Sequence, residues 1–192
     1  MRINEIIKSR RSVFTNQFSG EPIPREQIEE FLDLANWAPN HLHTEPWRFQ
    51  VYSGNGLKDL MSHLAELYKK YTPEEKFSQA KMDKYAKRVD WVSHAIVINV
   101  HYDEKGRVPR IEESNAVACA VQNLWLAITQ TKDIRGYWST GSLVYTDDLA
   151  FWLGLQDNEK CMGIFYLGKL KEDAIQAHST RRDVSEKTTW ID

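Results

Sequence analysis

The spacing of apolar residues divides the chain into several helices and a few strands. Ile3, Ile6 and Ile7 recur at helical spacing and predict a short helix from Ile3 to Lys8 with all three on one face. The stretch SRRSVFTNQFSGEPIP that follows is broken and polar, and reads as a loop. Pro24 stands at a favourable helix start, and Ile28, Phe31, Leu32 and Ala35 form the stripe of a helix reaching about Ala35, stopped by Pro39. Asn40 to Pro46 is a second polar loop. Trp47 to Tyr52 alternates as a strand does, Ser53–Gly56 reads as a turn, and Leu57 to Tyr71 is helical. Pro73 opens a further helical stretch to about Arg88. Its charge density keeps it out of the core and on the surface, where it can cover a pocket.

The strongest strand is Ala95–Tyr102, rich in β-branched residues and nearly free of charge. The strongest helix is Ile111 to Thr131. It carries many small residues and is apolar on several sides, the pattern of a helix buried in a core or an oligomer interface. Ile134–Trp138 reads as a short strand, Thr146 as the cap of a helix over Asp147–Leu153, and Met162–Leu167 as a strand. From about Lys169 to Asp192 the apolar periodicity fades, and this segment is expected to be an extended C-terminal arm on a single domain spanning residues 1–192. Strands that do not alternate regularly with helices argue for an α+β fold rather than a doubly wound one. No G-x-G-x-x-G follows a strand and no G-x-x-x-x-G-K-[ST] is present, so neither Rossmann nor P-loop chemistry is indicated.

Composition narrows the function class. With 192 residues, 42% of them hydrophobic, the chain suits one domain with a real core. A net charge of −2, with acids and bases interleaved, supports neither a nucleic-acid partner nor an anionic membrane surface. No apolar run approaches the length of a membrane span, and Met1 to Arg11 lacks the continuous apolar stretch of a signal peptide; the expected location is cytoplasmic. Cys119 and Cys161 form no C-x-x-C pair, and both are expected to be buried thiols.

Four segments carry candidate chemistry. Arg10-Arg11-Ser12 offers two guanidiniums and a hydroxyl, donors suited to an anion; taken alone, a solvated basic helix end explains it better. Ala38 to Trp47 is a loop stiffened by Pro39 and Pro46 and rich in donors; His41, His43 and Glu45 lack the spacing and third ligand of a metal site. Gly136-Tyr137-Trp138-Ser139-Thr140-Gly141 could let backbone N–H groups approach a ligand, or be an ordinary strand end. Ser179-Thr180-Arg181-Arg182 is a second basic pair, far along the chain from the first. No nucleophile–base pair stands out, so the hard chemistry of an enzyme built on this chain belongs to a cofactor.

In this order the segments resemble the nitroreductase family of flavoproteins. Arg10-Arg11-Ser12 matches its R-R-S motif, and Ala38 to Trp47 its A-P-S-x-x-N-x-Q-P-W loop. Gln122-Asn123-Leu124 sits on the long central helix, and Trp138-Ser139-Thr140-Gly141 matches a G-x-x-W-x-x-G stretch. Leu167-Gly168 ends the last strand, and Arg181-Arg182-Asp183-Val184 matches a terminal R-R-P-L. Three positions depart from the pattern: His43 for Asn, Glu45 for Gln and Asp183 for Pro.

The resemblance implies a nitroreductase-like fold, with a central, mainly antiparallel sheet flanked by helices, in an intertwined homodimer with FMN sites at the subunit interface. It implies that Arg10, Ser12 and Arg181 hold the FMN phosphate and ribityl chain with Arg11 beside them, and that Asn40, His41 and Trp37 reach a flavin from the loop. Trp138, Ser139, Thr140 and Gly141 contact the ring. NADH or NADPH is the implied reductant and a small electron-poor molecule the acceptor, with ping-pong kinetics. Flavin N5 is the reactive atom, so no side chain is named catalytic and no metal is expected. The same resemblance admits enone reduction, dehalogenation or flavin fragmentation, and a non-catalytic flavin-binding protein.

Overall fold

The computed structural model describes residues 2–175 and 178–192. Four strands form one antiparallel sheet: β1 (Trp47–Tyr52), β2 (His94–His101), β3 (Ile134–Ser139) and β4 (Glu159–Lys169), in the order β1-β2-β4-β3. Six α-helices cover it: α1 (Ile3–Ser9), α2 (Arg25–Asn36), α3 (Gly54–Tyr71), α4 (Gln79–Trp91), α5 (Arg110–Thr129) and α6 (Asp147–Trp152). This is the expected α+β arrangement, a sheet flanked by helices on both faces.

The two central strands are apolar on both sides because each face meets a helical layer. On one face Ile96, Ile98, Val100, Phe165 and Leu167 pack with Ile28, Phe31 and Ala35 of α2 and with Val117, Val121, Leu124 and Ile128 of α5. On the other, Ala95, Val97, Ile164 and Tyr166 pack with Leu57, Leu60, Leu64 and Leu67 of α3 and Leu149 of α6. The alternation of β2 thus separates two cores, as a period-two pattern requires.

Element ends follow local chemistry. Pro24 caps α2, as its fixed φ allows at a helix start. The Thr146 side chain accepts from the Leu149 backbone N–H and starts α6. The expected turn at Ser53–Gly56 is instead the first turn of α3, which begins at Gly54. The stretch after Pro73 is a short 3-10 turn, and its α-helix begins only at Gln79. β4 is longer than expected, from Glu159 to Lys169. Its register with β2 shifts after Ile98, leaving Met162 as the extra residue of a bulge beside Gly163 at φ 136°.

One expectation about exposure fails, that of Cys119. Of the three isoleucines of α1 only Ile6 is buried. Cys119 lies on the exposed side of α5, whereas Cys161 is buried. Ile111 of α5 is exposed too. Periodicity reports that a face is apolar, not that this protomer covers it.

Candidate functional site

Residues 10–13 run alongside β3. Ser12 bridges Gly136 in parallel, and the Val13 N–H donates to the Gly136 carbonyl at 3.1 Å. The approach is close because the Phe165 ring fills the place of a side chain at Gly136. The N-terminal motif and the Gly136–Gly141 segment, more than a hundred residues apart in sequence, therefore lie at one sheet edge.

Alternation along this edge sorts the side chains. Arg10 sits over the Trp125 ring of α5, its guanidinium carbon 4.5 Å from the centroid. Arg11 turns the other way and lines a cavity with Arg135. Arg181 belongs to the exposed C-terminal segment, yet its charge reaches Arg10: burial, then Arg11, then Arg181 lower the Arg10 pKa from its usual value. Arg10 and Arg181 are within electrostatic reach of each other. Among the described residues no carboxylate forms an ion pair with Arg10, Arg11 or Arg181, so their like charges are left for an external anion.

Beyond β3, Ser139 is half-buried while Thr140 and Gly141 are exposed. Gly141 has φ −64°, and nothing lies within 4 Å of the place a Cβ would take. Neither backbone nor packing in the protomer calls for glycine here. The half-buried Trp138 indole carries an Nε1 without a partner.

The surface helix α4 does cover a pocket. A cavity of about 400 Å³ is lined by Tyr85 and Arg88 of α4, Tyr68 of α3, and Ser139 and Gly141. A second, of about 440 Å³, lies between Phe14, Tyr137, Lys84 and Arg88. Arg88 borders both. It sits over the rings of Tyr85 and Tyr166, donates to the Tyr166 hydroxyl at 3.3 Å, and has a buried Nε without a partner. Full burial pushes the Tyr166 hydroxyl up to about 12, so it stays a neutral partner. Arg88 escaped the sequence reading because it sits in a run of surface charges; only its i+3 spacing from Tyr85 set it apart.

The loop from Ala38 to Pro46 lies elsewhere. It leads into β1, at the opposite edge of the sheet from β3. Its backbone is strained, with Leu42 at φ 52°, His43 at φ 52° and Glu45 at φ 43°. Clamps hold it: Asn40 Oδ1 accepts from the Glu45 N–H at 3.0 Å, and Arg48 donates to the Glu45 carbonyl at 2.8 Å. His41 Nδ1 lies 2.7 Å from Glu112 of α5. Trp37, just before the loop, is 79% exposed. Asn40, His41 and Trp37 are thus separated from Arg10, Ser12 and Ser139–Gly141 within one protomer.

The residues at the β3 edge suit a phosphorylated, planar cofactor: unopposed guanidiniums, an unpartnered Arg88 Nε and an open approach at Gly141. Fold and site define a cofactor-binding α+β protein with its donors along one sheet edge. Comparison with known proteins narrows this. The nitroreductase family model matches residues 7–169, and the chain belongs to the nitroreductase family. YfhC of Bacillus subtilis, named provisionally as an NAD(P)H nitroreductase, is 33% identical over 167 residues, covering 86% of this chain and 83% of its own. The crystal structure of a nitroreductase-like family protein from Bacillus cereus superposes with a TM-score of 0.84 at 28% identity, covering 100% of this chain and 96% of that one. A Bacteroides fragilis nitroreductase solved with bound FMN shares the fold, with a TM-score of 0.74 at 20% identity and full coverage of both chains. Among the described residues no helix is long and apolar enough to cross a membrane, and no group of His, Cys, Asp and Glu is placed to hold a metal.

Proposed function

We propose that the protein is an FMN-dependent oxidoreductase that takes reducing equivalents from NADH or NADPH and passes them to a small, electron-poor acceptor. The observation that carries the reading is the β3 edge itself, where Ser12 pairs with Gly136, Arg10 sits over the Trp125 ring, and no carboxylate among the described residues forms an ion pair with Arg10 or Arg181. Arg10, Ser12 and Arg181 hold the phosphate and ribityl chain, with Arg11 alongside. Trp138, Ser139, Thr140 and Gly141 meet the ring, and Arg88 meets its polar edge. FMN, when bound, supplies two-electron chemistry at N5. The protein contributes charge-assisted donors, orientation and exclusion of water, and no side chain is required as a nucleophile.

The separation of Trp37, Asn40 and His41 from the β3 edge supports a homodimer in which each loop completes the partner's site. The exposed Ile3, Ile7, Trp37 and Ile111 give that interface its apolar surface. The single domain spans residues 1–192, and its C-terminal segment from about Lys169 is an arm that carries Arg181 back to the edge. A cytoplasmic location fits this reading.

The test is the visible spectrum of the purified protein before and after each nicotinamide. A flavin band bleached by NADH or NADPH is expected; protein that takes up no FMN sinks the reading. Bound flavin that neither nicotinamide reduces favours a non-catalytic flavin protein. Turnover with enones or halogenated phenols but not with nitroaromatics favours one of the family's other chemistries.

A further inference from the structure

The face of the β3 edge opposite Arg10 holds a cavity of about 500 Å³, lined by Ser9, Arg11, Val13, Arg135, Leu170 and His178 among others. Its two arginines are built alike. Arg11 uses Nη1 to donate to the carbonyls of Lys8 and Arg10, both at 2.8 Å. Arg135 uses Nη1 to donate to the carbonyls of Thr131, at 3.2 Å, and Ile134, at 2.6 Å. Each guanidinium is fixed through one nitrogen to the main chain near a helix C-terminus, which leaves its other nitrogens to donate elsewhere. Arg11 Nε is buried and has no partner. Burial lowers the Arg135 pKa, opposed in part by the charge of Asp133. Among the described residues neither arginine forms an ion pair.

Two half-buried, pre-oriented guanidiniums without a counter-ion form a costly arrangement unless an anion joins them. Bidentate donation matches a tetrahedral oxyanion, and two cations match a dianion. We propose that this cavity binds a phosphate monoester dianion between Arg11 and Arg135. The phosphate is that of a second phosphorylated ligand bound beside the cofactor, whose own phosphate is assigned to the Arg10 face. The cavity does not depend on the flavin assignment.

The experiment compares wild type with Arg135→Gln and Arg11→Gln. FMN and riboflavin are titrated by fluorescence quenching, and inorganic phosphate by 31P line broadening, with and without saturating FMN. The expected result is that phosphate binds the FMN-saturated wild type, that its binding falls by roughly tenfold or more in each variant, and that FMN affinity is unaffected in Arg135→Gln. FMN affinity that falls by roughly tenfold or more in Arg135→Gln with riboflavin unchanged, and phosphate that competes with FMN, would make this the cofactor's own phosphate site and overturn the proposal. FMN and phosphate affinities that are unchanged in both variants overturn the proposal. Arg135→Lys, which keeps the charge but loses the forked donors, serves if Arg135→Gln fails to fold, and should also weaken phosphate binding. A wild type that takes up neither flavin defeats the cofactor reading, while phosphate titration of the protein alone still decides the cavity.

Discussion

His41 Nδ1 lies 2.7 Å from Glu112 Oε2, joining the strained loop before β1 to the first turn of α5. Both side chains are about half exposed, so the pair adds little to global stability. Its effect is local, because it pins a segment with three residues in the left-handed region. Glu112→Gln is expected to cost no more than about 0.5 kcal/mol in a urea melt. Amide exchange over residues 40–46 should nonetheless speed up. Unchanged exchange there would show that the Asn40 and Arg48 clamps suffice.

At Gly141 a side chain meets no protein atom, so Gly141→Val should leave the melting midpoint where it is. The same change should weaken FMN binding by about 1.4 kcal/mol or more, a tenfold loss, by occupying the approach to the ring. A variant with wild-type FMN affinity would remove residues 139–141 from the cofactor site.

Arg10→Ala and Arg181→Ala should each weaken FMN binding by about 1.5–3 kcal/mol, the worth of a hydrogen bond to a charged group. Without ligand, Arg181→Ala should be neutral or slightly stabilising, because it relieves repulsion at Arg10. If Arg182→Ala, rather than Arg181→Ala, proves the damaging change, the tail motif has been aligned one residue off.

Gly136 and Phe165 offer a test that joins fold to site. A methyl at Gly136 would overlap the Phe165 ring, so Gly136→Ala should cost about 1–3 kcal/mol by overpacking. It should also loosen residues 10–13, which pair at Gly136. Thermal melts give the first effect, and amide exchange at Val13 the second.

His94 sets a pH dependence. Its Nδ1 accepts from the Ser93 hydroxyl at 2.9 Å, and that same hydroxyl accepts from the Ile23 N–H at 2.8 Å. Burial lowers the His94 pKa below the usual 6.5, so the unfolded chain takes up a proton before the folded one. Stability is therefore full above about 6.5 and falls as pH drops below it. Urea melts across that range should show the slope in wild type and not in His94→Gln. Asp103, held down to about 2 by Arg107, gives a separate loss at more acidic pH, below the usual 3.8.

Much of the fold is legible in the sequence. β2 and α5 are long and strongly patterned, and the structure places them within a residue or two of expectation. Local periodicity cannot show that Arg10 and Arg181 come within electrostatic reach, since 170 residues of folding separate them. Nor can it show that the loop carrying His41 sits at the far edge of the sheet, because strand order is a property of the whole chain. Arg135 and Arg88 were passed over because an arginine in a strand end or a charged helix looks like any solvated one; burial and missing partners distinguish them. Ile3, Ile7 and Cys119 are exposed within apolar stretches of sequence, since an apolar face that the protomer leaves uncovered has the same pattern as one it covers.

That last residue has a practical consequence. Burial pushes the Cys161 thiol up to about 11, so at neutral pH it is both shielded and protonated, while Cys119 faces outward from α5. A maleimide dye added to the native chain should therefore attach at one known position without any engineering. If two copies pack along α5, labelling will slow as the protein is concentrated, and the chain will report its own assembly through the colour it takes up.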